Sequence, residues 1–110
     1  MKLLTKSQEE KLIANHHLQE ANNGEIEDMK VVAKIFNPYG RGTWYLSEYN
    51  PEDRIAFGVA DLGYPEMGSI ALWELEELKV PPFNMPLERD IHFPEDKYTL
   101  EECLEMCHGK

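Results

Sequence analysis

Basic residues are scarce in this chain. Eleven Lys and Arg stand against twenty-one Asp and Glu, for a formal net charge of −10, so the chain lacks the cationic surface that displaces counterions from nucleic-acid phosphates. Direct nucleic-acid binding is therefore not expected. The acidity is uneven: nine acids against seven bases up to Ala60, then twelve against four from Asp61 onward. A surplus of this size secures solubility. It also admits a sharper reading, a DNA-mimicking surface that occupies a basic groove on a nuclease or methyltransferase.

Long hydrophobic runs are missing as well. The longest extends only from Ile55 to Ala60, far short of the roughly 20 residues that cross a bilayer. Met1-Lys2-Leu3-Leu4-Thr5-Lys6 has no following apolar core or small-residue cleavage site, so the expectation is no membrane partner and a cytoplasmic location. Cysteine is limited to Cys103 and Cys107, expected as reduced thiols. With His108 they resemble part of a zinc site, but small apolar residues on the buried side of a helix account for them more simply. Gly40-Arg41-Gly42 is no phosphate loop, because neither a helix nor Lys-Ser or Lys-Thr follows it. Neither a metal nor a cofactor is expected.

What the chain does contain is one domain, residues 1–110, with ordinary hydrophobic (42%) and charged (29%) fractions. At its centre, Thr43–Ala60 reads as two antiparallel strands joined by the turn Asn50-Pro51-Glu52-Asp53. Period-2 alternation puts Trp44, Leu46 and Glu48 on one face and Tyr45, Ser47 and Tyr49 on the other. Ile55, Phe57 and Val59 share a face, whereas Ala56, Gly58 and Ala60 leave the opposite one open to close approach by something large.

Capping boxes predict two helices, one after Thr5 with Gln8 and one after Thr99 with Glu102. The first carries a narrow apolar stripe and ends at Asn22-Asn23-Gly24. Adjacent residues on a helix diverge by about 100°, so His16 and His17 do not share one ion. The second helix, about 99–108, presents Leu100, Cys103, Leu104 and Cys107 on one side. Met29–Phe36 has the β-branched density of a strand, and Asn37–Gly42 forms a hairpin loop. Asp61–Gly68 reads as a turn region leading into a short strand from about Gly68 to Leu72. Trp73–Lys79 has helical spacing and Pro81-Pro82 stops it. Phe83–Leu87 reads as an ordered loop, and Glu88–Phe93 as an edge strand with Ile91 and Phe93 inward. The expected fold is α+β, in the order α-β-β-β-β-α-β-α, a mainly antiparallel sheet of about five strands with helices packed on one face.

Trp44-Tyr45-Leu46-Ser47-Glu48-Tyr49-Asn50-Pro51-Glu52-Asp53, Phe57-Gly58-Val59, Glu66-Met67-Gly68, Trp73-Glu74-Leu75-Glu76-Glu77-Leu78 and Pro86-Leu87-Glu88-Arg89-Asp90 occur in an order that is informative. With the N-terminal Met1–Lys6, they make the chain resemble, over about residues 1–93, a family of short bacterial proteins of unknown function. Members are often carried on plasmids, prophages and integrative conjugative elements. Two departures stand out: Tyr64 replaces an acid of the family pattern, and Ala71 stands where a serine is usual. The resemblance implies a fold and a genetic context but no chemistry.

For chemistry, the polar candidates are Glu48, Asp53, Glu66, Glu88, Arg89 and Asp90, and two of the carboxylates could flank a cleft as acid and base. Arg89 has a structural alternative, a bidentate pair with Glu48 or Glu66. No activated Ser or Cys motif is present, so an enzyme would rest on carboxylates alone. Tyr39, Trp44, Tyr45, Tyr49 and Tyr64, with Arg89, are the candidate binding residues, about half of the rings being core. The sequence favours a small acidic protein-interaction module over an enzyme, one that modulates host defence or DNA transactions by binding a protein. A carboxylate-based hydrolase on a small or nucleotide substrate is the alternative. Clustering of Glu48, Glu66, Glu88 and Asp90 around an open pocket favours the hydrolase; a continuous acidic or aromatic face without a pocket favours the binder.

Overall fold

In the computed structural model, which describes residues 2–108, the two capping boxes form as the sequence predicts. Helix α1 spans Lys6–Ala21, with the Thr5 hydroxyl accepting from the Gln8 amide and the Gln8 side chain accepting from the Thr5 amide. Its end is set by Asn23 and Gly24, both at positive φ. Met1, the first residue of the N-terminal motif, and residues 109 and 110 lie outside the described residues.

Five strands then form one antiparallel sheet: β1 (Ala33–Phe36), β2 (Thr43–Asn50), β3 (Ile55–Asp61), β4 (Pro65–Ala71) and a two-residue strand, Glu88–Arg89. Between β4 and that last strand lie α2 (Leu72–Glu77) and a small hairpin of β5 (Lys79–Val80) with β6 (Met85–Pro86), so Glu88–Arg89 is β7. The sheet order is β4-β3-β2-β1-β7. Helix α3 (Leu100–His108) closes the described chain, capped by Thr99 and Glu102. The α+β class and the element order are those expected. No helix among the described residues is long and apolar enough to cross a membrane.

The helices do not share one face. Leu12 of α1 and Leu72 and Leu75 of α2 join Trp44, Leu46 and Ile35 in one core. Leu100, Cys103 and Cys107 of α3 pack with Tyr45, Val59 and Val31 in a second. The physical reason is that β2 and β3 are apolar on both sides, so leaving either face to water would expose a full layer of large side chains. On the α1 side, Trp44, Leu46 and Tyr49 stand opposite Ala60, Gly58 and Ala56 in register. The large partner of the small-residue face is thus the neighbouring strand itself.

Three further differences have local causes. The expected strand over Met29–Phe36 is regular only from Ala33; Val31 instead exchanges backbone hydrogen bonds with Tyr98 and Asp96, and Val32 donates to Leu46. Strand β4 begins at Pro65, because the Asp61 carboxylate accepts the Gly63 amide and tightens the turn to a few residues. The alternation through Glu88–Phe93 breaks at Asp90, which accepts from His92 through its side chain and from Phe93 through its carbonyl. Ile91 is consequently 73% exposed, whereas Phe93 packs against Tyr45 and Tyr98 as an inward residue should.

Candidate functional site

A single extra residue in β2 decides which side chain faces the cleft beside α1 and α3. The β2–β3 register shifts between Leu46 and Glu48, so Ser47 forms a β-bulge, which reverses the side-chain parity beyond it. Strict alternation pairs Glu48 with Trp44 and Leu46; in the structure Tyr49 takes that place in the α1-side core. Glu48 lies opposite Phe57, on the α3 side of the sheet. Ser47 is itself fully buried, its hydroxyl donating to the Phe57 carbonyl at 3.4 Å and its carbonyl accepting from Asn15 of α1 at 2.9 Å. Those bonds fix the bulge to both neighbours.

Glu48 opens into a cleft of about 560 Å³. One wall is the C-terminal half of α1, with His16 and Gln19, and the connector after it, with Ile26, Glu27 and Met29. Gln19 holds that connector by donating to the Ile26 carbonyl at 2.7 Å and accepting from the Ile26 amide at 3.1 Å. The floor is Ile55, Phe57, Met67 and Ser69 of β3 and β4, and the first turn of α3 contributes Leu100 and Glu101. Asp53, from the β2–β3 turn, completes the acidic lining.

Burial pushes the Glu48 carboxyl above the usual carboxylate range, and the nearby His16 opposes that shift. Its side chain is 13% exposed, and a carboxyl oxygen lies 3.9 Å from His16 Nδ1. His16 Nε2 faces Glu20 at 3.4 Å, so the imidazole stands between an inner and an outer carboxyl. Glu27, Glu48, Asp53 and Glu101 all line the cleft, whereas no Lys or Arg among the described residues does. Such a lining stabilises a cation and disfavours a phosphate. The apolar floor suits a hydrocarbon stem.

The candidate acids do not all converge. Glu48 and Asp53 line the cleft; Glu66 lies on β4 opposite Ala60, Glu88 is on β7 at the far edge of the sheet, and Asp90 pairs with Lys34 at 3.5 Å. Arg89 pairs with neither Glu48 nor Glu66. Its Nη1 donates to the Leu3 carbonyl at 3.0 Å, so it holds the N-terminal segment against β7. Among the aromatics, Trp44, Tyr45 and Tyr49 are core. Tyr49 also contributes to the cleft lining. Tyr39 is exposed, edge-on to Phe83 at 6.2 Å, and Tyr64 is 85% exposed. Glu27, Met67 and Glu101 carry no signal in the sequence, and His16 stands out there only as a metal ligand to be set aside, since no local pattern links residues this far apart.

The α3 thiols face inward. Burial raises Cys103 to about 12, and the Tyr45 hydroxyl, hydrogen-bonded to Cys107, is raised for the same reason. Among the described residues no group of three or more His, Cys, Asp or Glu has a metal-holding arrangement.

No curated protein and no solved structure matches the chain. A family model does match, over residues 3–108, and so takes in α3 as well as the hairpin and the Pro-x-Glu-Arg-Asp segment. The chain belongs to the family described as "Protein of unknown function (DUF2958)".

Proposed function

We propose that this protein is a small acidic binding module whose cleft takes a basic side chain of a partner protein. The cleft lining carries the reading: an apolar floor of Ile55, Phe57 and Met67 beneath Glu27, Glu48, Asp53 and Glu101, with no Lys or Arg among the described lining residues. A lysine or arginine presents the matching chemistry, a hydrocarbon stem ending in a cation. The resemblance to proteins carried on mobile elements supports a role in modulating host defence or DNA transactions by occupying another protein. Dispersal of Glu66, Glu88 and Asp90 away from Glu48 weighs against the carboxylate hydrolase. The missing cationic lining weighs against a nucleotide substrate in particular.

The test is an NMR titration with N-acetyl-lysine methylamide at low salt. Saturable shifts at Glu48, Phe57 and Met67, weakened in Glu48→Gln and by added salt, are expected. Shifts that are absent, or unchanged in the variant, overturn the reading.

A further inference from the structure

The two edges of the sheet are built differently. At one edge, β7 pairs only two residues with β1, and Arg89 ties the N-terminal segment beside it. At the other edge, β4 runs Pro65–Ala71 without a register shift against β3, and no partner on its outer side occurs among the described residues. Edge strands are ordinarily blunted by shortness, lysine, bulges or cover. Strand β4 has seven residues, no lysine and no bulge, and its only proline is its first residue. Glu66, Met67 and Ser69 are exposed along it.

This open edge adjoins the cleft. Met67 and Ser69 belong to β4 and also form part of the cleft floor. Side chains on one face of a strand recur every second residue, so a strand laid beside β4 would direct alternate side chains toward that floor. We propose that β4 is a strand-addition site for an extended, basic segment of a partner protein, which becomes a sixth strand and delivers its lysine or arginine side chains to the cleft. The inference rests on the cleft reading above and adds the backbone ladder to it. Main-chain hydrogen bonds would supply affinity and the cleft the choice of side chain. The occupant is a basic segment and not a second copy, because two chains of net charge −10 repel one another.

The experiment uses the full chain and the acetylated, amidated heptapeptide Lys-Val-Lys-Val-Lys-Val-Lys, with two analogues N-methylated either at every valine or at every lysine. In a strand only every second N–H points at the neighbour. One analogue is therefore expected to bind at least about tenfold more weakly than the parent peptide, and the other nearly as well. Amide exchange of residues 66–70 should slow at alternate positions when the parent peptide is present. Equal binding of all three peptides, or no slowing in β4, overturns strand addition while leaving the cleft reading in place. Loss of the Glu48-dependent N-acetyl-lysine methylamide response overturns the cleft reading instead. Absence of parent-peptide binding at millimolar concentration refutes strand addition, and concentration-dependent protection of β4 without peptide assigns the edge to a second copy.

Discussion

Gly58 and Gly68 face each other across the β3–β4 ladder, yet alanine should have opposite consequences at the two positions. A Cβ built on Gly58 collides with the Tyr45 carbonyl oxygen, and its next neighbours are also β2 backbone atoms. Backbone cannot rotate away as a side chain can, so β2 must retreat or β3 must bend. Overpacking of this kind costs about 3 kcal/mol, and the lower entropy of the unfolded alanine chain offsets about 0.5 kcal/mol of it. A 110-residue domain loses about 4 °C of melting temperature per kcal/mol. Gly58→Ala should therefore melt about 10 °C below the parent. Gly68 has nothing within 4 Å of a built Cβ and a backbone that an L-residue can adopt. Gly68→Ala should melt unchanged or about 2 °C higher. Circular dichroism melts of the two variants in one buffer provide the comparison. Melting of both within about 2 °C of each other would refute the close β2–β3 approach.

Leu12 is the fully buried residue of α1, and Leu12→Ala should cost about 2–5 kcal/mol in urea unfolding; a loss under about 1 kcal/mol would show that α1 is not anchored through it. Because the Glu48 carboxyl is raised in the folded chain, the folded state holds that proton more tightly than the unfolded state. Its contribution is full below the ordinary carboxylate value and is lost as pH rises through the folded one. The melting advantage of Glu48→Gln over the parent should therefore grow from pH 4 toward pH 7, and a constant offset would contradict the burial of Glu48. Burial raises the Cys103 thiol to about 12, so iodoacetamide at pH 8 should leave it unmodified in the folded protein and label it in urea, as peptide mass spectrometry would reveal. Arg89→Ala should expose the N-terminal segment, read as faster amide exchange at Leu3 and Leu4; unchanged exchange would show that the bond to the Leu3 carbonyl does not hold it.

Where the sequence was informative, the signals were local. Thr5 with Gln8, and Thr99 with Glu102, each satisfy orphan amides within one turn, so the two helix starts depend on nothing distant. The Asn50–Asp53 turn is equally self-contained: Asn50 accepts from Glu52 and Asp53 accepts from Ile55 through their side chains. The residue at positive φ there is Arg54. The distribution of helices over two faces depends on how much apolar surface Tyr45, Phe57 and Val59 leave on the second side, a quantity that alternation along one strand does not carry. Glu48 was legible as a candidate acid. Its direction was not, because parity counted from Trp44 fails at the first bulge. Its companions come from α1, the connector, β4 and α3, and only tertiary packing brings them together.

The bulge at Ser47 also makes β2 a strand with two reading frames. Upstream of it, even-numbered positions belong to the α1-side core; downstream, odd-numbered positions do. The bulge thus matters separately from the composition of the strand. Deleting that one serine would bring both halves into a single frame with each side chain on its present face, because Glu48 would follow Leu46 directly and keep its place opposite Phe57. Ordinary substitutions can retune the cleft one side chain at a time, but straightening the bulge with Ser47 still in the strand would slip the register by one from Glu48 onward and exchange site for core in one step.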